Sequence, residues 1–215
     1  RTVVGVLCIA SFVFYAYWDW RFLPLLLVSI IVNHGIAKIL VGSRGRGGLV
    51  VIGGVIFSRA VLAYFKYVDF FLVNLSAIIQ EDIGPIGTIL PLGISFFTFQ
   101  QIAFLVDVYR TQRHDYLFFD YVLFISFFPQ PIAGPIVHHK EMMPQLQRPD
   151  LGRFSLGDLN RGLTVFVIGL AKKVLVADSL APYADRLFTA AASGAPLSAF
   201  EAWGAALIYG LQLYF

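Results

Sequence analysis

Long apolar stretches alternate with short polar ones along most of this chain. Six of the apolar stretches approach the length of about 20 residues that a helix needs to cross the hydrocarbon core of a bilayer. They are Val3–Trp18, Phe22–Val41, Leu49–Phe65, Pro91–Tyr109, Leu159–Ala177 and Ala199–Phe215. The pattern therefore predicts an all-α polytopic membrane protein, with roughly five to seven spans at this chain length.

Composition supports the lipid bilayer as the main environment of the chain. Hydrophobic residues make up 58% of the sequence and charged residues 13%, whereas soluble domains carry about a quarter charged residues. The net charge of +3 is small, and no basic patch interleaved with aromatic residues indicates nucleic-acid binding. Cys8 is the single cysteine, so the sequence predicts neither a disulfide framework nor a cysteine metal site.

The distribution of charge between the spans predicts an orientation. Arg44 and Arg46 occupy one short loop and Arg113 another, whereas Glu81 and Asp82 occupy the loop between them in sequence. Because cytoplasmic loops of membrane proteins are enriched in Lys and Arg, the arginine loops are predicted to be cytoplasmic and the acidic loop external.

One segment interrupts the pattern of spans. Leu117–Phe128 is apolar but short, and three prolines and a glycine follow within seven residues, among them Pro131, Gly134 and Pro135. Proline removes a backbone donor and ends helices, and irregular backbone survives at membrane depth only where it is buried in protein or lines a wet cavity. Two interpretations stay open: a re-entrant element that lines a path, or a surface helix that ends in a cytoplasmic loop. The polar stretch His138–Asp158 is then predicted to be a cytoplasmic loop.

Several polar residues lie within the predicted spans. Asn33 and His34 lie in the middle of one, where polar groups are costly and mark either a functional site or an interhelical hydrogen bond. Arg59 lies in the middle of another and is predicted to face the protein interior, with Asp107 as a possible partner.

A third span carries polar residues at helical spacing. Phe96, Gln100, Phe104 and Asp107 fall on one helix face, which would either line a polar tunnel or form a packed interhelical seam. The adjacent His138 and His139 lack the spacing of a helical metal pair, so no metal site is predicted.

Four segments, in this order, give the chain a family resemblance. They are Tyr64–Tyr67 (YFKY), Leu90–Phe99 continuing to Val106–Arg110 (LPLGISFFTF…VDVYR), Phe127–His138 with PQPIAGPIVH, and Gly169–Asp178 (GLAKKVLVAD). Together they resemble the bacterial membrane-bound O-acyltransferase family, in its alginate O-acetyltransferase-like branch. The resemblance covers essentially the whole chain.

The resemblance implies a fold and an activity. Residues 1–215 would form part of a single transmembrane domain in a multi-pass protein of the bacterial inner membrane. The enzyme would transfer an acyl group from a cytoplasmic thioester donor, such as acetyl-CoA or an acylated carrier, to hydroxyls of an exported polysaccharide such as alginate. The resemblance implies that this acyl group is acetyl. No bound cofactor is implied, and periplasmic or carrier proteins are the expected partners.

The resemblance also implies where the catalytic base lies. The family's catalytic histidine occurs in a Trp-His-Gly context that this sequence lacks, so the base is expected beyond Phe215 and no catalytic residue is predicted within the chain. The candidates for the substrate path are Asn33, His34, Gln100, Asp107, Pro131, Gly134 and Pro135. The alternatives are transfer of D-alanine or another acyl group to a cell-wall polymer, a transporter or flippase, and an inactive truncated product.

Overall fold

A computed structural model describes residues 1–43, 47–80, 84–112, 116–130, 137 and 139–215. The contacts within it divide the chain into two compact units, Arg1–Gly152 and Arg153–Phe215, and each is described by itself. That the chain forms a single transmembrane domain stays a prediction.

In its described residues, the first unit contains six α-helices. They are α1 (Thr2–Asp19), α2 (Leu23–Gly42), α3 (Gly47–Ile79), α4 (Ile94–Thr111), α5 (Phe118–Ser126) and α6 (His139–Leu146). A short 3-10 turn, Trp20–Phe22, joins α1 to α2. The carboxylate of Asp19 stabilises this turn, because it accepts hydrogen bonds from the backbone N–H and the guanidinium of Arg21. A proline in the first turn of α2 fits the start of a helix, where its missing N–H costs nothing.

The predicted all-α class is confirmed, since no strand occurs among the residues that the structure describes. Two helical stretches, 2–42 and 47–79, are long and apolar enough to cross a membrane. The predicted spans at α1, α2 and α4 match helices. α4 begins at Ile94 rather than at Pro91, because Gly93 before it has a φ of +64°, a conformation that glycine adopts at little cost.

The boundaries predicted for the third span were wrong. The sequence predicted a span over Leu49–Phe65, but α3 runs without a break over 33 residues, as far as Ile79. Lys66 and Asp69 interrupt the apolar run without ending the helix, since neither is a helix breaker and no proline or glycine lies between them. A helix of this length measures about 50 Å, well beyond the hydrocarbon core of a bilayer.

Small residues bring α3 close to α4. Gly54 is buried on α3, and a Cβ placed there would lie 2.7 Å from the Leu105 side chain of α4. Because a larger residue here would force the Leu105 side chain to move, glycine lets the two helices approach closely, as helices in membranes do at small residues.

The chain goes out and back over α5 and α6. α5 begins beside the start of α1, where Arg1 lies 3.6 Å from the Asp120 carboxylate. Its nine residues extend about 13 Å, and the backbone N–H of Phe128 then donates to Ser11 Oγ, in the middle of α1. By α6 the chain has returned, because Gln147, just after this helix, donates to Asp120 at the start of α5. The stretch His138–Asp158, predicted to be a cytoplasmic loop, contains the short helix α6, and its cytoplasmic location stays a prediction.

The second unit contains α7 (Leu156–Lys172), α8 (Asp178–Ala192) and α9 (Ala199–Tyr214). A π-helical stretch, Lys173–Ala177, joins α7 to α8 and interrupts the predicted span Leu159–Ala177. The sequence did not predict α8, whose acidic and basic residues hide it from a search for apolar spans. Ser155 caps α7, and Ser198 with Glu201 forms a capping box on α9. Three alanines are the buried residues of this unit: Ala177, Ala184 and Ala205.

Candidate functional site

Four neutral polar side chains form a hydrogen-bonded network between α2, α3 and α4, here called the amide network: Ser29, Asn33, Ser58 and Gln101. Asn33 is fully buried. Its amide nitrogen donates to the Ser29 carbonyl and to Gln101 Oε1, each at 3.0 Å, and its Oδ1 accepts from Ser58 Oγ at 3.2 Å. Ser29 Oγ donates to Gln101 Oε1 at 2.6 Å. The sequence drew attention to Asn33, and the structure gives it partners on two neighbouring helices.

Gln100 lies next to this network without joining it. Its side chain is 2% exposed, and its Nε2 has no hydrogen-bond partner among the described residues. Phe104 and Asp107 on the same face of α4 are also buried. Of the two interpretations left open for this face, the structure therefore agrees with a packed seam.

Asp107 is joined to α6 rather than to α3. Its Oδ2 lies 3.4 Å from His139 Nδ1 and its Oδ1 lies 3.6 Å from Lys140 Nζ. Arg59, which the sequence predicted to face inward, is exposed on α3. The correction follows from helix geometry, since Ser58 faces the core and one residue further along a helix points about 100° away.

Aromatic rings surround the His139 imidazole, whose side chain is 6% exposed. Phe104 meets it edge-on at a centroid distance of 5.3 Å, Tyr116 lies at 5.8 Å and Phe124 at 6.5 Å. An imidazole held by a carboxylate in an apolar surrounding has a fixed orientation. The Asp107–His139 pair thus ties the short helix α6 to the end of α4.

A chain of rings leads from His139 to the second buried histidine. Phe104 contacts Tyr121 at 4.6 Å, and Tyr121 contacts His34 at 5.5 Å. His34 also meets Phe118 edge-on at 5.0 Å. The structure therefore brings His34 and Asp107 into one buried region, through α4 and α5, although they are distant in sequence.

The remaining candidates cannot be placed. Pro131, Gly134 and Pro135 lie outside the described residues, and so do His114 and His138 and the loop charges Arg44, Arg46, Glu81, Asp82 and Arg113. A role of any candidate in the substrate path stays a prediction.

Sequence reasoning missed His139. It considered this residue only as half of a His-His metal pair, whereas its partner is an aspartate 32 residues earlier in the chain. The available signal was weak: a histidine directly after the proline-rich segment, and an acidic residue at the end of an apolar span. No cluster of three or more His, Cys, Asp or Glu side chains suited to a metal ion occurs in the part of the chain that the structure describes.

Comparison with known protein families identifies the family of this chain. The model of the membrane-bound O-acyltransferase family matches residues 12–215. The chain belongs to this family. Three of the segments that carried the resemblance lie at defined places in this membrane-bound O-acyltransferase chain. YFKY lies in the middle of α3, and LPLGISFFTF leads into α4. GLAKKVLVAD covers the π-helical junction of α7 and α8.

Curated relatives agree with this assignment. The chain is 41% identical to a peptidoglycan O-acetyltransferase of Helicobacter pylori, over 97% of this chain and 44% of that protein. It is 36% identical to the probable alginate O-acetylase AlgI of Azotobacter vinelandii, over 98% of this chain and 42% of that protein. The AlgI protein of Pseudomonas aeruginosa is also 36% identical, over 98% and 41%. The chain thus spans less than half the length of these relatives. No solved structure matches it significantly.

Proposed function

We propose that this chain belongs to an enzyme that transfers an acetyl group to hydroxyls of a polysaccharide of the bacterial cell envelope. The observation that carries the proposal is the similarity, over 97–98% of the chain, to relatives named for O-acetylation of peptidoglycan and of alginate. The two acceptors differ, but both are polysaccharides, so the shared chemistry is an ester formed on a sugar hydroxyl.

The donor in this proposal is a cytoplasmic thioester, either acetyl-CoA or an acylated carrier protein. The hydroxyl oxygen attacks the thioester carbonyl carbon, the carbon–sulfur bond breaks, and the sulfur leaves as a thiol. A general base must take the hydroxyl proton, because an alcohol is a poor nucleophile at neutral pH. We expect that base to be a histidine beyond Phe215, and we assign no catalytic residue within the chain.

The out-and-back path of α5 and α6 supports a location for the substrate path beside these two helices. α5 is about half the length needed to cross a bilayer. After α6 the chain is again beside Asp120, close to the start of α1. We infer a re-entrant element in a multi-pass protein of the bacterial inner membrane, with the starts of α1 and α5 on the cytoplasmic side, where the positive-inside rule places the arginine loops. A thioester donor would approach from that side, past Asp107 and His139.

The test is made with the full-length gene. Its deletion from the source organism should lower the acetate released by mild alkali from purified envelope polysaccharide, and the intact gene should restore it. Analysing peptidoglycan and exopolysaccharide separately identifies the acceptor. A gene ending at Phe215 should not restore acetate. Activity from that product, dependent on one of its own histidines, would overturn our placement of the base.

The rival functions predict other outcomes of the same deletion. Loss of D-alanine esters with unchanged acetate would indicate transfer of D-alanine to a cell-wall polymer. Accumulation of polymer inside the cell, with normal acetylation of what is exported, would indicate a transporter or flippase. Either result would overturn the proposed acetyl transfer.

A further inference from the structure

Two neighbouring cavities follow one face of α2, and together they are called the groove here. Its inner part has a volume of about 320 Å³ and lies between α1, α2 and α5, with Cys8, Phe12, Leu27 and Val122 among its lining residues. Its outer part, about 380 Å³, is lined by His34, Lys38, Val41, Tyr116, Leu117 and Phe118. Phe118 lines both parts, so the two cavities adjoin at this ring.

The α2 residues in the groove repeat with helical spacing. Leu27, Ile30 and Ile31 line the inner part, and His34, Lys38 and Val41 continue the same stripe into the outer part. The inner part is lined by apolar side chains, Cys8 and Gly5, whereas the outer part contains a histidine and an exposed lysine. The groove therefore has an apolar end and a cationic end along one helix face.

The rim of the inner part faces outward. Ile9 is 66% exposed, Ile31 58% and Phe119 62%, so the groove opens sideways between helices that are long and apolar enough to cross a membrane. A ligand from the bilayer can enter by this route, whereas a donor from water would have to pass the apolar rim. An apolar void holds no ordered water, because water there would lack hydrogen-bond partners.

The charge at the outer end of the groove determines which kind of lipid head group it suits. Lys38 follows His34 by one helical turn and lines the same cleft. Among the charged side chains that the structure describes beside Leu117, those of Arg1 and Asp120 face each other at 3.6 Å, so their charges largely cancel. Lysine binds phosphate as a point charge, and aromatic side chains such as Tyr116 suit the level of the head groups.

We propose that this groove binds an anionic phospholipid, with one acyl chain between α1, α2 and α5 and the phosphate at Lys38. The site is independent of the acyl-transfer chemistry, and the lipid remains intact in it. Gly5 lines the inner part of the groove, and a Cβ built there meets no atom within 4 Å. A larger side chain at this position would occupy the space of the acyl chain.

Photo-crosslinking of the full-length protein tests the site. The protein is placed in phosphatidylcholine nanodiscs that contain a trace of phosphatidylglycerol carrying a diazirine near the end of one acyl chain. After irradiation, labelled peptides are mapped by mass spectrometry. We expect label on α1 around Ile9 and on α5 around Phe119, and we expect unlabelled phosphatidylglycerol to compete far better than phosphatidylcholine or diacylglycerol.

Matched variants separate the two ends of the groove. Gly5→Leu should lower labelling at least several-fold, whereas Gly53→Leu on α3, another helical glycine with open space around it, should leave it unchanged. Lys38→Ala should weaken competition by phosphatidylglycerol roughly fivefold, from the contribution of one basic residue near an anionic head group. Lys66→Ala, which removes an exposed lysine from α3, should have no effect. Should Gly5→Leu fail to fold, Ile9→Trp at the rim serves in its place.

Three results would overturn the proposal. Equal competition by diacylglycerol would mean that the head group is not recognised. Equal labelling of Gly5→Leu and Gly53→Leu would mean that the acyl chain lies elsewhere. An absence of label from α1 and α5 in the full-length protein would mean that residues outside this chain cover the groove.

Discussion

The two buried polar regions of the first unit are built in opposite ways. The amide network of Ser29, Asn33, Ser58 and Gln101 is neutral, and all its members lie on the long helices α2, α3 and α4. The Asp107–His139 pair includes a carboxylate, is walled by aromatic rings, and joins α4 to the eight-residue helix α6. Isolated helices of that length are not stable in water, so α6 depends on contacts such as this one.

The difference indicates a division of work. The network fixes how three helices pack against one another, since each hydrogen bond within it is made in one relative position only. The pair holds a short returning element against that packed frame. Substitutions in the network should therefore destabilise the whole unit, whereas substitutions in the pair should mainly destabilise α6.

The largest effect on stability is expected from Asn33→Leu. This change removes three hydrogen bonds. It leaves the buried Ser58 hydroxyl without its Asn33 acceptor and leaves Gln101 Oε1 with the Ser29 hydroxyl alone, at a cost of about 2–3 kcal/mol in the free energy of unfolding. The measurement is denaturant-induced unfolding of the full-length protein in detergent micelles. Asn74→Leu is the matched control, because Asn74 is exposed on α3 and its amide donates only to the Phe70 carbonyl. A loss no greater than that of the control would show that the network does not hold the helices.

Asp107→Ala should have a smaller effect on global stability, about 1–2 kcal/mol, and a local effect on α6. Hydrogen–deuterium exchange should rise in residues 139–147 while α2 and α3 stay protected. Acetylation of the polysaccharide should fall at least tenfold if the returning element lies on the donor path. Asp107→Asn, which keeps one acceptor, should be intermediate. Unchanged exchange in α6 would contradict the role assigned to the pair.

Asp69 offers a third kind of polar contact, made at the surface. Its carboxylate accepts hydrogen bonds from the Ile86 and Thr88 backbone N–H groups and from Thr88 Oγ1, at 2.8–2.9 Å. Asp69→Ala should destabilise the protein much less than Asn33→Leu, since exposed groups can exchange these hydrogen bonds for water. Faster hydrogen exchange at Ile86 and Thr88, with no change in the amide network, is the expected signature. A loss as large as that of Asn33→Leu would remove the distinction between buried and surface contacts.

The smallest effect is the coupling between the two buried regions. Gln101 and Asp107 are six residues apart on α4, about 9 Å along its axis. The free-energy changes of Asn33→Leu and Asp107→Ala should therefore add within about 0.5 kcal/mol in a double mutant. A larger coupling energy, measured in the same unfolding assay, would mean that the two regions form one network.

The sequence predicted the frame better than the site. Hydropathy located α1, α2 and α4, and the cost of polar groups at membrane depth pointed to Asn33. The sequence analysis wrongly predicted that Arg59 faces the interior. The inner face of α3 is marked by a stripe of buried residues that includes Val51, Gly54 and Ser58. α6 escaped prediction because its sequence, HKEMMPQL, is short, contains a proline and has only Met142, Met143 and Leu146 as apolar residues. Such an element is specified by distant contacts, which hydrophobic periodicity does not record.

The position of the end of α5 has an electrostatic consequence. The last carbonyl groups of a helix carry roughly half a negative charge, and residues 120–126 of α5 are all buried, where water screens that charge poorly. The interior beside this helix end therefore favours hydrogen-bond donors and cations, and an anion entering there would meet a repulsive field.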